Sequence, residues 1–443
     1  MSASVNRRIF GAAVVVGAMT IITKVVGFLK DIAIAYHFGA NDALDAFYIA
    51  LLLPNMVQEM IARALRMAFV PVYVEIREKE GEDAASRLLS GVLTLGIVLL
   101  AAISVVLAAL SPVLLPLLGS SFGPDKLALT QYLFLILVLS MLVGGMSLFL
   151  SSVINVYERF ALPAISPGIV SLMMVVCLVI LGHLWGIYAL ALGMVIGYFL
   201  QVIALAWQLS RLHVTLRPKW YGFTAPMKDV IGQFIPRLAG AFLMSNTDLV
   251  DGTMAAMLGS GSVAMLMYGK KVIALVLGLL SMSIGTAVVP HFSQMVATRN
   301  WNGVLHTLRT YLSLILIVTI PVSIGLFFVS EPIVALIFQR GAFTSDDVEV
   351  VGQVQAMYAL QIPFYVVSIV VARLMATLKE NKIMMIVAGI NLIANILFNL
   401  IFMRLFGLAG IALSTSAVYF VSLAITSIFL YRRIKRERSF EQP

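Results

Sequence analysis

Eight basic side chains lie inside stretches apolar enough to span a membrane: Lys24, Lys30, Arg63, Arg66, Arg237, Lys270, Lys271 and Arg373. The acids at comparable depth are Asp31, Glu59, Asp248 and Asp251, with Asp45 nearer the end of its span. A cation near the bilayer centre costs on the order of 2.5–3.5 kcal/mol, so such residues face a bundle interior or a wet cavity and carry function. The cations outnumber the acids, and the surplus needs an anion for at least part of a working cycle. Clustered lysine and arginine suit a phosphate or diphosphate group best.

Helical spacing shows which of these charges can help one another. Glu59, Arg63 and Arg66 stand at i, i+4 and i+7, one stripe along one helix. Lys24 and Asp31 are seven residues apart and share a face. Lys24, Lys270 and Lys271 have no acid at i±3 or i±4 on their own helix. Lys24 also falls near the middle of its span, where snorkelling to either surface is hardest. Lys24, Lys30, Arg63 and Lys271, with Arg66 and Arg373 behind them, are the candidate anion-binding residues. Asp31, Asp248 and Asp251 either bind a coupling Na⁺ or H⁺ or neutralise lysines.

No other chemistry competes. The five histidines (His37, His183, His213, His291 and His306) show no ligand spacing, and the single cysteine, Cys177, excludes a disulfide framework and any CxxC site. Gly259–Lys270 resembles a phosphate loop only faintly, since Ala264 and Lys271 stand where glycine and Ser/Thr are required. The expectation is a transporter and not an enzyme, with no cofactor, no resident metal and no nucleic-acid partner. The basic tail Arg432–Arg438 abuts the last apolar run and reads as a juxtamembrane anchor to anionic lipid.

The elements that must position these residues are membrane helices. The 443 residues are 61% hydrophobic and 12% charged, against about 25% charged in soluble chains. Apolar runs predict an all-α, polytopic protein with about twelve spans. These cover 10–38, 45–74, 88–118, 127–156, 162–182, 186–210, 230–258, 262–292, 304–339, 348–378, 383–404 and 407–431. With both termini cytosolic, nineteen of the thirty basic residues fall in inner segments and only Lys126, Arg340 and Arg404 in outer ones. Arg7-Arg8 before an apolar run resembles a twin-arginine signal, but the run continues into a full helix with no small-residue cleavage pattern, so a retained first span is expected.

The chain repeats itself at an offset of about 220 residues. Asp31 matches Asp251, Gly39 matches Gly259, Tyr48 matches Tyr268, Gly186 matches Gly407, and Tyr198-Phe199 matches Tyr419-Phe420. Ala68–Pro71 likewise resembles Ala287–Pro290. Six spans per half is an even number, so parallel repeats and a central cleft follow. The predicted division is an N-terminal six-helix lobe (1–210), a cytosolic linker (211–229) and a C-terminal six-helix lobe with the basic tail (230–443).

Thr23–Asp31, Phe38-Gly39-Ala40, Asp45-Ala46-Phe47, Leu53-Pro54-Asn55 and Ala68–Pro71 closely resemble the opening of the MurJ/MviN family of lipid II flippases. Asn155–Phe160 with Pro163, Asp251, Gly261-Ser262-Val263, Tyr268, Pro290 and Phe338–Phe343 extend the likeness over nearly the whole chain. The family belongs to the multidrug/oligosaccharidyl-lipid/polysaccharide exporter superfamily. The resemblance implies two lobes, an inverted-V cavity and alternating access. It also implies basic cavity residues that engage a lipid diphosphate. Lys24, Lys30 and Lys271 stand where the family usually has arginine, keeping the charge but losing the bidentate fork.

Span 2 departs from the family pattern. Gln58 and Glu59 replace a basic pair, and Arg63 and Ala64 replace an acid and a glycine, so the charge is displaced along the helix. Family members also typically carry two further C-terminal helices. The implied function is translocation of a polyprenyl-diphosphate-linked saccharide from the inner to the outer leaflet of the bacterial cytoplasmic membrane. The saccharide would be lipid II or a repeat unit of an exported polysaccharide, with a peptidoglycan or polysaccharide synthase as candidate partner. The alternatives are a drug or organic-cation antiporter, which would want a net acidic cavity, and a non-transporting scaffold, which would need no buried cations.

Overall fold

A computed structural model of the chain describes residues 2–214, 216–244, 246–378 and 380–439. It omits the side chains of 2–13, 243, 244, 282–291, 293, 381, 438 and 439. The side chains of Arg7, Arg8, Ala287–Pro290, His291 and Arg438, named above, therefore lie outside that description. The chain forms α1 (Ser2–Phe38), α2 (Asp42–Glu80), α3 (Glu82–Leu118), α4 (Pro124–Val156), α5 (Ala161–Ile165), α6 (Pro167–Trp185) and α7 (Ile187–Arg211). It continues as α8 (Ala225–Met244), α9 (Thr247–Ala256), α10 (Ser262–Ala297), α11 (Trp301–Phe338), α12 (Ser345–Ala359), α13 (Ile362–Thr377) and α14 (Asn381–Ser439). Among the described residues, nine segments are long and apolar enough to cross a membrane.

Local chemistry explains most boundaries. The Asn41 side chain accepts from the Leu44 amide and starts α2, and Thr344 with Asp347 forms a capping box ahead of α12. Pro124 and Pro167 sit in the first turns of α4 and α6, where a missing N–H is harmless. Gly186 (φ 50°, ψ −128°) separates α6 from α7, and Gly407 (φ 57°, ψ −134°) interrupts α14. Only glycine enters that region readily. These two glycines match in the internal repeat, so the duplication is written into the backbone.

Two expected spans are built differently. The run 162–182 begins with the short α5, and 230–258 is divided into α8 and α9. Arg237 on α8 therefore does not share a continuous helix with Asp248 and Asp251 on α9. The Asn246 side chain, at the start of α9, donates back to the Phe242 carbonyl and satisfies part of the broken end.

The chain forms two compact units: Met1–Ile34 with Asn41–Leu249, and Ala35–Ala40 with Val250–Pro443. In the first, α2 packs against α3, α4, α7 and α8, and Phe69, Tyr73 and Phe149 centre an aromatic core. In the second, α10 packs against α12 and α13, and α14 against α12 and α13. The last turn of α1 belongs to this second unit. The Tyr36 carbonyl accepts from the Ala342 amide (2.9 Å), and the Tyr268 hydroxyl donates to the Gly39 carbonyl (3.2 Å). Outward faces carry large apolar groups such as Leu184 and Phe328. They would be a liability in water and cost nothing in lipid.

Candidate functional site

Unit 2 contains a polar cluster deep in apolar surroundings. Asp251, on α9, is fully buried. Asn395 and Asn399, one turn apart on α14, each donate an Nδ2–H to its Oδ1, at 3.0 and 2.8 Å. Thr415 Oγ1, beyond the Gly407 break, donates to Oδ2 at 3.0 Å and lies 3.4 Å from the Ile411 carbonyl. Both asparagines are buried, and among the described residues their Oδ1 atoms have no hydrogen-bond partner. Such orphaned acceptors beside a carboxylate are unfavourable unless something positive meets them.

The donor set is oxygen throughout: one carboxylate, two amides, one hydroxyl and a backbone carbonyl nearby. Turning the two amides would present their oxygens alongside Asp251. The set carries a single formal negative charge and suits one hard monovalent cation or a proton, held where a helix is interrupted. Asn395, Asn399 and Thr415 were not among the residues singled out from sequence. Their visible signal is a stripe of amides at i, i+4 and i+8, Asn391, Asn395 and Asn399, inside an apolar run.

The remaining candidates are distributed over both units. In unit 1, Lys30 Nζ lies 2.9 Å from Asp31 Oδ1, with both side chains largely buried. Arg63 meets Glu59 at 3.6 Å in the i, i+4 pair that the spacing indicates, and both side chains stay substantially exposed. Lys24 and Arg66 are exposed, Lys24 with no ion pair among the described residues. Asp248 is exposed in the first turn of α9, where a carboxylate complements the helix dipole, three residues from the buried Asp251. In unit 2, Lys271 is half-buried and Arg373 exposed, and the neighbouring Lys270 stands over the Tyr358 ring at 5.6 Å.

Two clusters in unit 1 hold helix ends together. Lys126 Nζ bridges Asp42 (2.6 Å) and the buried Asp45 (2.8 Å) and stands over the Phe122 ring at 3.9 Å. At the other end of α2, the Tyr73 and Tyr157 hydroxyls are 2.8 Å apart, and Tyr157 donates to Glu82 at 2.9 Å. Arg77 covers the Tyr157 ring at 5.1 Å. Burial, helped by the Tyr73 contact and the Glu82 charge, pushes the Tyr157 phenol up, so it remains a donor. Tyr157 belongs to the Asn155–Phe160 motif, and its hydroxyl joins the ends of α2, α3 and α4.

Long apolar helices with an internal repeat, intramembrane cations and a buried carboxylate among amides define a multi-pass membrane transporter. The fold is shared with a multidrug-resistance MATE family transporter of the MOP superfamily, solved in an inward-facing conformation. The TM-score is 0.77 at 13% identity, over 96% of this chain and 99% of that one. More specifically, the chain belongs to the lipid II flippase MurJ family, whose sequence profile matches residues 34–442. A probable lipid II flippase MurJ of Buchnera aphidicola subsp. Acyrthosiphon pisum is 26% identical over 427 residues, covering 94% of this chain and 83% of that protein. A lipid II flippase MurJ solved in an inward closed conformation superposes with a TM-score of 0.81 at 25% identity, over 94% of this chain and 87% of that one. Multiple apolar helices and this membership make the chain a multi-pass protein of the bacterial inner membrane.

Proposed function

We propose that this protein translocates a polyprenyl-diphosphate-linked saccharide, lipid II or a closely related repeat unit, from the inner to the outer leaflet by alternating access. Family membership across residues 34–442 carries this reading, and the surplus of intramembrane cations is the chemistry that a diphosphate requires. Lys24, Arg63 and Lys271 are assigned to the diphosphate, with Lys30, Arg66 and Arg373 as further cations of the same path. An exposed ammonium at mid-span is too costly against lipid, which supports a wet surface for Lys24. Both termini are assigned to the cytosol, in a twelve-span topology, on the charge bias of the segments. A peptidoglycan or polysaccharide synthase is the natural receiver of the translocated glycan.

Asp251 is assigned to a coupling cation, with Asn395, Asn399 and Thr415 completing the oxygen set. Inward movement of that cation and outward movement of the anionic lipid would both be favoured by an inside-negative potential, by about 2.3 kcal/mol per charge per 100 mV.

The test is complementation in cells depleted of their own lipid II flippase. The chain should rescue growth, and Lys24→Ala and Lys271→Ala variants with normal membrane insertion should lose the rescue. Full activity in both variants would remove the diphosphate assignment. Failure of the unaltered chain, verified in the membrane, would replace lipid II by another polyprenyl-linked glycan.

A further inference from the structure

From the end of α7 to the first turn of α8 the chain is basic and carries no acid. Arg211, Arg217, Lys219 and Lys228 fall within this stretch, and the acids that flank it in sequence are Glu158 and Asp229. All four cations are exposed, and none forms an ion pair among the described residues. Three acids at the same end of unit 1 already have partners. Glu75 meets Lys79 at 2.7 Å, Glu78 meets Arg77 at 3.2 Å, and Glu82 accepts from Tyr157 at 2.9 Å.

The stretch is also held in place. Val214 and Leu216 at its start, and Met227 at its end, belong to the same apolar cluster as Tyr73 and Tyr157. The Val214 amide donates to the Leu209 carbonyl at 3.0 Å and turns the chain back onto that cluster. Between these anchors Trp220, Tyr221 and Phe223 are exposed. Trp220 and Phe223 meet edge to face at 5.2 Å, and Lys219 stands over the Tyr221 ring at 5.2 Å. The end of α7 has the same character. Ile196, Phe199, Ile203 and Trp207 stand at i, i+3, i+7 and i+11 and are all exposed, an apolar stripe suited to lipid. The stripe ends at Trp207, where the Arg211 guanidinium, one turn on, covers the ring at 4.8 Å.

We infer that the end of α7 and the 211–224 segment form a docking surface for anionic phospholipid headgroups. A tryptophan covered by a cation at the end of a lipid-facing stripe marks the level where acyl chains give way to headgroups. Both ends of the segment are packed beside that helix end, so its rings and cations meet the same layer. Four exposed aromatic rings are a liability in open water and at home in the bilayer interface. The unpaired cations add selection by charge, because each Lys or Arg near an anionic surface raises the affinity about fivefold. Since the segment is fixed to the core of α2, α3 and α4, headgroup contact sets the depth at which unit 1 sits in the membrane. The choice of the inner leaflet rests on the assignment of 211–229 to the cytosol, and the contact itself does not.

The experiment uses the full chain with Thr224→Cys, an exposed position beside Phe223, labelled with a fluorophore; the native Cys177 is buried. The labelled chain is placed in phosphatidylcholine nanodiscs that hold a fixed minor fraction of brominated lipid. Brominated phosphatidylglycerol should quench the probe at least about threefold more than the same fraction of brominated phosphatidylcholine. Adding Arg211→Gln/Arg217→Gln/Lys219→Gln should make the two lipids quench equally, and adding Trp220→Ala/Phe223→Ala should weaken quenching by both. Equal quenching with all the cations in place would leave rings without headgroup selection and overturn the inference. So would the absence of quenching by either lipid, which would put the segment in water or under a soluble partner. An inverted topology would move the surface to the outer leaflet and leave the lipid preference unchanged, so the two assignments fail separately.

Discussion

Lys126 and Arg63 show how differently one charge behaves in two settings. Lys126 is almost enclosed, and the Asp45 it meets is fully buried, so removing the ammonium leaves a carboxylate short of its main charge partner. Lys126→Met should lower stability by about 3 kcal/mol, read as a drop in the thermal midpoint in detergent, and Lys126→Met/Asp45→Asn should recover much of it. Arg63 keeps its Glu59 partner in an exposed setting, and such a pair contributes little to stability. Its guanidinium therefore remains available to a substrate. Gln58, which stands where the family pattern has a basic residue, is buried and donates to the Tyr198 hydroxyl at 3.5 Å. Spacing alone revealed the Arg63–Glu59 pair because both residues lie on one helix. It could not reveal Lys126 with Asp45, since their contact joins two helices.

The helices themselves were legible as hydrophobic runs, but the contacts at their ends and the break within 230–258 were not. Gly39, Gly261 and Gly341 all adopt positive φ, and around them the end of α1 is threaded into the turns of unit 2. A Cβ on Gly261 would lie 2.6 Å from the Ala40 carbonyl oxygen, and one on Gly39 would overlap the Ala342 carbonyl. Gly39→Ala combines a left-handed backbone with a clash against main chain, so a loss of at least about 2 kcal/mol is expected. Hydrogen–deuterium exchange should show it as faster exchange at 35–40 and 338–343, and unchanged protection there would remove this role. The break between α8 and α9 was hidden because hydropathy continues across it. Hydropathy registers where the chain meets lipid and is blind to a bend within it.

At the scale of the molecule, charge bias assigns the loop 211–229 and both termini to the cytosol. Cys177 is buried, so the native chain offers a quiet background for labelling. A cysteine introduced at Lys219 should react with an impermeant maleimide only after the inner membrane is opened, and one at Arg340 should react in intact spheroplasts. The reverse pattern would invert the topology. The sequence by itself determined the membrane class, the apolar runs, the duplication and the surplus of cations within those runs, because hydropathy, charge and repeat spacing are local or periodic properties of the chain. Only the tertiary structure decided which charges meet. Asp251 is joined to Asn395, Asn399 and Thr415 across at least 144 residues, and Lys126 to Asp45 across 81. Such partners depend on the rotation of each helix about its own axis, and packing sets that rotation.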